Sequence, residues 1–238
     1  MLPVAILAGG LGTRLRPLTE TTPKALLPIC GEPFVAHQLR LLRRRGIERI
    51  VLCVGYLGEQ IRDFVGDGQA FGLRADYSWD GSVPLGTAGA LRWALPRLGD
   101  AFFVIYGDSY LLCEYRAVQD AFLNSGKQAL MTVVRNDGQW DSSNVEFCEG
   151  RIIAYDKQRR TPRMCHIDYG LGAFQSSVFS ALDDSPRDLA TVYQDLLVQD
   201  ELGGFEVKER FYEVGSFDGL DSLSDLLVKT NHTCVKAR

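Results

Sequence analysis

Three short apolar runs, Val4 to Leu7, Arg49 to Val54 and Ala101 to Tyr106, are separated by segments of helical periodicity. No other feature limits the fold as strongly, because parallel strands cannot be joined by a tight turn and need a crossover, usually a helix. Between the first two runs, Val35, Leu39 and Leu42 recur at i, i+4 and i+7, with Pro33 opening the segment and Gly46 placed as a left-handed cap. A second helix is expected from Gly86 to Leu95, and a third around Val118, Ala121 and Phe122, ending at Gly126. The alternation predicts an α/β fold built on a mainly parallel sheet.

The pattern changes near residue 128. Strand-like runs at Ala129 to Val134, Val145 to Phe147, Arg151 to Tyr155 and Tyr169 to Phe174 follow, and the turn at Glu149-Gly150 marks an antiparallel addition to the sheet edge. Helical patterns return near Val178 and from Leu189 to Leu202. Phe205 to Tyr212 reads as strand, and Ser216 as the N-cap of a last helix carrying Leu220, Leu223 and Leu227. A chain of 238 residues with 46% hydrophobic content can bury one ample core, so a single domain over residues 1–238 is expected.

Charge and residue usage exclude several classes. Lysine plus arginine total 26 against 30 acidic residues, a net charge of −4, so no basic surplus points to nucleic acid. Arg43-Arg44-Arg45 falls at a helix C-terminus, where cations suit the helix dipole. No stretch approaches the roughly 20 apolar residues of a membrane span, and the apolar start at Met1 to Leu7 has no basic segment before it. The six cysteines, Cys30, Cys53, Cys113, Cys148, Cys165 and Cys234, form no C-x-x-C pair, and several lie in apolar runs where a reduced thiol packs well. A reducing cytoplasm and no zinc site are expected. His37, His166 and His232 have no ligand spacing.

Directly after the first run comes Leu7-Ala8-Gly9-Gly10-Leu11-Gly12-Thr13-Arg14-Leu15, then Pro23-Lys24. Three glycines in four positions let backbone N–H groups turn toward an anion without Cβ obstruction. The dinucleotide fingerprint would need a glycine where Leu15 stands, and the Walker pattern needs Gly-Lys-Ser/Thr, which is absent. Arg14, Arg16 and Lys24 instead set fixed cations beside the loop, which suits a triphosphate. Asp108, after Gly107 at the tip of the third run, is a hard oxygen ligand for Mg²⁺ in the crevice where α/β sheets bind ligands.

This ordered set resembles the signature of the sugar-1-phosphate nucleotidyltransferases, and the resemblance covers roughly residues 3 to 230. It implies a Rossmann-like three-layer α/β/α sandwich with a mixed central sheet, of the nucleotide-diphospho-sugar transferase type. It also implies a Mg²⁺-dependent reaction of an NTP with a sugar-1-phosphate that releases pyrophosphate. By the resemblance, Leu7, Ala8 and Gly9 meet the base, Gly10, Gly12, Thr13 and Arg14 the phosphates, and Lys24 the α-phosphate. Pro84-Leu85-Gly86-Thr87-Ala88-Gly89 looks like the second nucleotide segment, so Gly86 and Thr87 join the nucleotide set. Phe211-Tyr212-Glu213-Val214-Gly215 resembles the segment whose acid completes the metal site, with Glu213 where many relatives carry aspartate.

The acceptor portion, about 128–215, departs more. Asp168 stands where the family usually has asparagine, followed by Gly170. Tyr155-Asp156-Lys157 resembles the Glu-Lys-Pro element, with Gln158 replacing proline and Lys157 kept for the sugar phosphate. Asn144 falls at a sugar-contacting turn whose usual Tyr-Gly reads Ser142-Ser143, and Gly107 completes the acceptor set. The chain looks most similar to the compact guanylyl- and uridylyltransferases of mannose-type, manno-heptose or muramic acid phosphates. GTP with a manno-configured sugar is the first expectation, and UTP or dTTP with a gluco-configured or muramic acid phosphate the second. A related glycosyltransferase would carry Asp-x-Asp, where Asp108-Ser109-Tyr110 has one aspartate; a nucleotide-sugar sensor would lack the cations and the acid. Apolar residues in the last helix would serve a homodimer.

Overall fold

The structure is a computed structural model whose described residues are 1–81, 85–183 and 185–230; Pro84, His232 and Cys234 lie outside them. Strand β1 (Val4–Leu7) leads through the glycine loop to β2 (Pro28–Ile29) and β3 (Glu32–Pro33), a small hairpin. Then come helix α1 (Phe34–Arg44), β4 (Arg49–Val54), α2 (Gly58–Val65), β5 (Arg74–Trp79), α3 (Gly86–Leu98) and β6 (Ala101–Tyr106). Strands β6, β1, β4 and β5 lie side by side in that order, all parallel. Leu7 stands opposite Cys53 on one side and Tyr106 on the other, so the strands end in line and their following loops share one edge.

Beyond β6 the chain runs through β7 (Ser109–Leu111), α4 (Tyr115–Ser125), β8 (Ala129–Arg135), β9 (Val145–Cys148), β10 (Arg151–Tyr155) and β11 (His166–Gln175). It finishes with α5 (Ser177–Ser180), α6 (Leu189–Val198), β12 (Leu202–Val207), β13 (Phe211–Glu213) and α7 (Phe217–Thr230). Strand β11 is antiparallel to both β6 and β8, β12 is parallel to β8, and the β9–β10 hairpin joins at His166. Strands β7 and β13 form a separate antiparallel pair.

The apolar spacing dictates the layers. Val35, Leu39 and Leu42 of α1, Ile61 of α2 and Phe122 of α4 pack with Val4, Ile6 and Leu52 on one face of the sheet. Ala88, Leu91 and Ala94 of α3 and Val192 and Leu196 of α6 pack with Ala5, Val51 and Val104 on the other. The result is an α/β/α sandwich, and each fully buried Leu or Val side chain contributes roughly 1.5–3 kcal/mol over leaving it in water. Phe34 and Leu41, on the opposite side of α1, pack against Leu223 and Leu227 of α7, so that helix is covered twice. Among the described residues no helix is long and apolar enough to cross a membrane.

The expected strands, the α1 stripe with Gly46 in the left-handed region (φ 82°), and the Ser216 cap are observed; Gly219 N–H donates to Ser216 Oγ at 3.1 Å. Other expectations need correction. The helix from Leu189 stops at Val198 rather than Leu202, because Leu202 is taken into β12 opposite Ala129. The Phe205 to Tyr212 strand is two strands, since β12 ends at Val207 and β13 pairs with β7 instead of the main sheet. Helix α2 and strand β5 left little trace: α2 buries only Gly58, Ile61 and Val65, and β5 interleaves Arg74 and Asp76 with its buried residues. Cys53, Cys113, Cys148 and Cys165 are free thiols, whereas Cys30 is disulfide-bonded, contrary to the expectation of reduced cysteines.

Candidate functional site

At the tips of β1, β4 and β5 a cavity of about 460 Å³ is lined by Leu7, Gly9, Gly55, Asp80, Gly86 and Thr87, among others. Its floor is main chain held by short bonds, Ala8 N–H to Cys53 O and Asp80 N–H to Val54 O, both 2.8 Å. Gly9 leaves room for the Asp80 side chain here: a Cβ on it would lie 2.6 Å from Asp80 Oδ2 and 3.2 Å from Gly55 N. The Asp80 carboxylate therefore rests against bare backbone, and burial pushes its carboxyl above the ordinary range. Gly86 (φ 73°) takes a conformation that side chains rarely adopt, and the segment also caps α6, with Leu189 N–H donating to Thr87 Oγ1 at 2.7 Å.

A smaller cavity of about 170 Å³ continues from this one and is lined by Leu7, Ala8, Gly10, Lys24, Gly107 and Asp108, among others. Lys24 Nζ lies 2.6 Å from Asp108 Oδ2, with the two side chains only 21% and 16% exposed. Pro23 precedes a one-turn 3₁₀ helix, Lys24–Leu26, that fixes the lysine backbone. The turn carrying Asp108 is held from below by Gln38 of α1, whose amide donates to Tyr106 O at 3.1 Å and Ser109 O at 2.7 Å. Gly12 and Thr13 lie outside the lining of both cavities; Gly12, at φ 62°, starts the turn that buries Leu15 and projects Arg14.

The β7–β13 pair sets Glu213 opposite Ser109, and Val214 N–H donates to Asp108 O at 2.8 Å. A Cβ on Gly215 would lie 2.9 Å from Arg14 Nη2, 3.3 Å from Asp108 Oδ2 and 3.5 Å from Glu213 Oε1. Three residues from distant segments thus converge on one glycine. Burial first, and then the Asp108 charge, push the Glu213 carboxyl above its ordinary value, while Arg14 and Lys24 oppose the rise. Among the described residues no three His, Cys, Asp or Glu side chains form a metal cage. Two carboxylates are nevertheless the number that commonly hold Mg²⁺ when phosphate oxygens and water complete its shell, so Asp108 and Glu213 are the pair that could hold one.

On the far side of Glu213 lies a polar cavity of about 210 Å³ lined by Asn144, Lys157, Arg160, Asp168, Gly170 and Tyr106, among others. It opens where the β11–β8 register slips between Asp168 and Gly172, with Gly170 at φ 93°. Asp168 N–H donates to Asn144 Oδ1 at 2.9 Å, and Gly170 N–H to Asp168 Oδ1 at 3.0 Å. Lys157 Nζ lies 3.9 Å from Asp168 Oδ2 and 5.7 Å from the centre of the Tyr106 ring. Asp156 caps its own turn by accepting from Gln158 and Arg159 N–H, both 2.8 Å.

Of the acceptor set, Asn144, Lys157, Asp168 and Gly170 come together, but Gly107 does not join them: it lies in the Lys24 cavity, against Ala8. Sequence reasoning missed Asp80, Gln38 and Gly215. Asp80 follows an unremarked edge strand, Gln38 sits among apolar helix positions, and Gly215 gains meaning only when three segments meet.

Residues 4–143 match the nucleotidyl transferase family. The chain is 46% identical over 104 residues to an N-acetylmuramate alpha-1-phosphate uridylyltransferase of Neisseria meningitidis, covering 43% of this chain and 45% of that protein. It is 28% identical over 216 residues to a mannose-1-phosphate guanylyltransferase catalytic subunit beta of Drosophila melanogaster, covering 88% and 58%. The matches thus span about half the length of these relatives. The HddC structure from Yersinia pseudotuberculosis complexed with GMP-PN is similar in fold, with a TM-score of 0.80, 24% identity, and 95% and 100% of the two chains covered.

Proposed function

The chain belongs to the nucleotidyl transferase family, and on that premise we propose that it transfers a nucleoside monophosphate from an NTP to a sugar-1-phosphate, giving an NDP-sugar and pyrophosphate. The observation that carries the reading is the order of groups along one cleft: a glycine-cleared cavity, then Lys24 with Asp108, then Glu213, then a polar pocket that holds Lys157 and Arg160. In it the base would occupy the cavity at Gly9 and Gly86, and the acceptor phosphate the pocket of Lys157. The acceptor phosphate is already anionic at neutral pH, so no side chain has to remove a proton from it. Rate then comes from aligning two anions and stabilising charge at the α-phosphorus. Lys24 would bear on the α-phosphate and Arg14 on the leaving pyrophosphate, while Asp108 and Glu213 would hold Mg²⁺, which when bound neutralises polyphosphate charge.

GTP is the favoured donor. Asp80 is a carboxylate, an acceptor only, and the N1–H and N2–H groups of guanine present two adjacent donors to it. Uracil and thymine offer one N–H between two carbonyl oxygens, which a carboxylate would repel. A manno-configured sugar is the favoured acceptor, by likeness to the mannose-1-phosphate guanylyltransferase. A second reading, UTP with a muramic acid or gluco-configured phosphate, is supported by the 46% identity to the uridylyltransferase. The test is pyrophosphate release across four NTPs and a panel of sugar-1-phosphates. GTP with a mannose-type phosphate should turn over fastest; release with no pair would end the proposal, and a UTP optimum would select the second reading.

A further inference from the structure

The Lys24–Asp108 ion pair uses the same oxygen that faces the other acid. Asp108 Oδ2 is 2.6 Å from Lys24 Nζ, and it is also the oxygen 3.3 Å from the position a Gly215 Cβ would take, beside Glu213 Oε1 and Arg14 Nη2. A divalent cation shared by Asp108 and Glu213 would approach that oxygen. We infer that Lys24 is the resident counter-ion of Asp108, and that a divalent cation engages this carboxylate only by displacing the lysine, which frees the ammonium for the phosphate cavity.

The surroundings decide which partner yields. The Asp108 main chain is fixed: Val214 N–H holds its carbonyl, and Gln38 holds the carbonyls of Tyr106 and Ser109 on either side of it, which leaves the carboxylate only a one-carbon stem. The Lys24 backbone is fixed as well, with Leu26 N–H donating to Pro23 O at 2.8 Å and Ala25 buried. What remains free is the four-carbon stem of the lysine, a flexible carrier for a compact charge. Lys24 lines the same cavity as Leu7, Gly10 and Gly107, so a short swing keeps its ammonium among the groups that would face phosphate. A metal arriving alone must displace this cation without compensation, whereas a metal arriving with a polyphosphate brings the anion that receives it. Lys24 is thus a positioning residue for the metal in addition to its role at phosphate, and metal affinity in the nucleotide-free protein is held low. By linkage, the lysine weakens the metal by the same factor that the metal weakens the ion pair.

The inference rests on Asp108 as a metal ligand, as in the proposed function, but it is measured without turnover. Mn²⁺ is titrated into the full, nucleotide-free chain and free Mn²⁺ is read by electron paramagnetic resonance. Lys24→Met should bind Mn²⁺ about tenfold tighter than wild type, in the usual range of coupling between two sites. Arg14→Met should gain clearly less, and Asp108→Asn should lose the site. In the wild type, independent of any variant's folding, added Mg²⁺ should move the side-chain ammonium resonance of Lys24 in the NMR spectrum. Lys24→Met binding no tighter than wild type, Arg14→Met gaining as much, or a Lys24 resonance indifferent to Mg²⁺ would each overturn the displacement. Absence of pyrophosphate release from every NTP would instead count against the proposed function.

Discussion

Along the β1 side of the cleft the wall is main chain. A Cβ on Gly86 or Gly107 would strike main chain at 2.5 and 2.9 Å, and one on Gly9 or Gly55 would strike the Asp80 carboxylate at 2.6 and 2.9 Å. On the β11 side the wall is made of side chains, with Asn144 and Asp168 aimed by hydrogen bonds and a register slip rather than by clearance, and Lys157 set 3.9 Å from Asp168 Oδ2. A backbone wall tolerates few sequence changes, because any side chain there fills the cavity or displaces a strand tip. A side-chain wall can be rewritten one residue at a time. The glycine loop and Lys24 lie along the first wall, and Ser142 and Asp168 line the second.

Between the two walls stands the pair that serves both, and changes there should cost most. Asp108→Asn is expected to lower kcat by about 10³ and Lys24→Ala by about 10², the scale of losing one aimed charge from a transition state. Near-normal turnover in either variant would remove that residue from the chemistry. On the backbone wall, Gly107→Ala drives a methyl to 2.9 Å from Ala8 Cα and Leu7 O. Overpacking two strand tips should cost about 2 kcal/mol, read in urea denaturation, and weaken NTP binding with it. A variant as stable as wild type would show that the tips can part.

On the side-chain wall, Asp168→Asn should raise KM for the acceptor about tenfold, the worth of one hydrogen bond to a charged group, while KM for the NTP stays put. A change in the NTP constant instead would erase the division between the walls. Asp80 is the exception on the backbone side, a side chain in the cavity proposed to take the base. Asp80→Asn should shift the GTP to UTP preference by roughly fivefold toward UTP, since an amide can donate to a carbonyl where a carboxylate cannot. An unchanged ratio would leave base choice to the backbone.

The smallest expected effect is on pH. Because burial raises the Asp80 carboxyl above its ordinary value, the folded state holds that proton more tightly than the unfolded chain. Stability from this group is full below the ordinary aspartate range and falls as pH rises through the window up to the raised value. As pH rises from the ordinary aspartate range, melting temperatures should therefore decline slightly more in wild type than in Asp80→Asn; identical profiles would mean the carboxylate is not desolvated.

Much of the framework was readable in the residues because it depends on local rules. Continuous apolar runs mark strands covered on both faces, the α1 stripe marks a helix on a sheet, and Gly46 and Ser216 announce helix ends. The failures came where partners outside the segment decide. Leu202 is as apolar in a helix as in a strand, and only the β8 edge recruits it into β12. Strand β5 carries Arg74 and Asp76 because it is the last strand of its side of the sheet. Gln38 reads as a polar interruption of a helix until the carbonyls of Tyr106 and Ser109 are brought above it.

What the sequence by itself determined is the family, the α/β class, and the glycine loop with its cations, since these follow from residue type and order over short spans. The tertiary structure alone decided that Lys24 meets Asp108 across 84 positions, that Arg14 and Glu213 meet at Gly215, and that Gly107 faces Lys24 rather than Lys157. Order along a chain fixes which loops leave the ends of the strands. Which side chains then touch depends on sheet order and register, and those are set by the packing of the whole core at once.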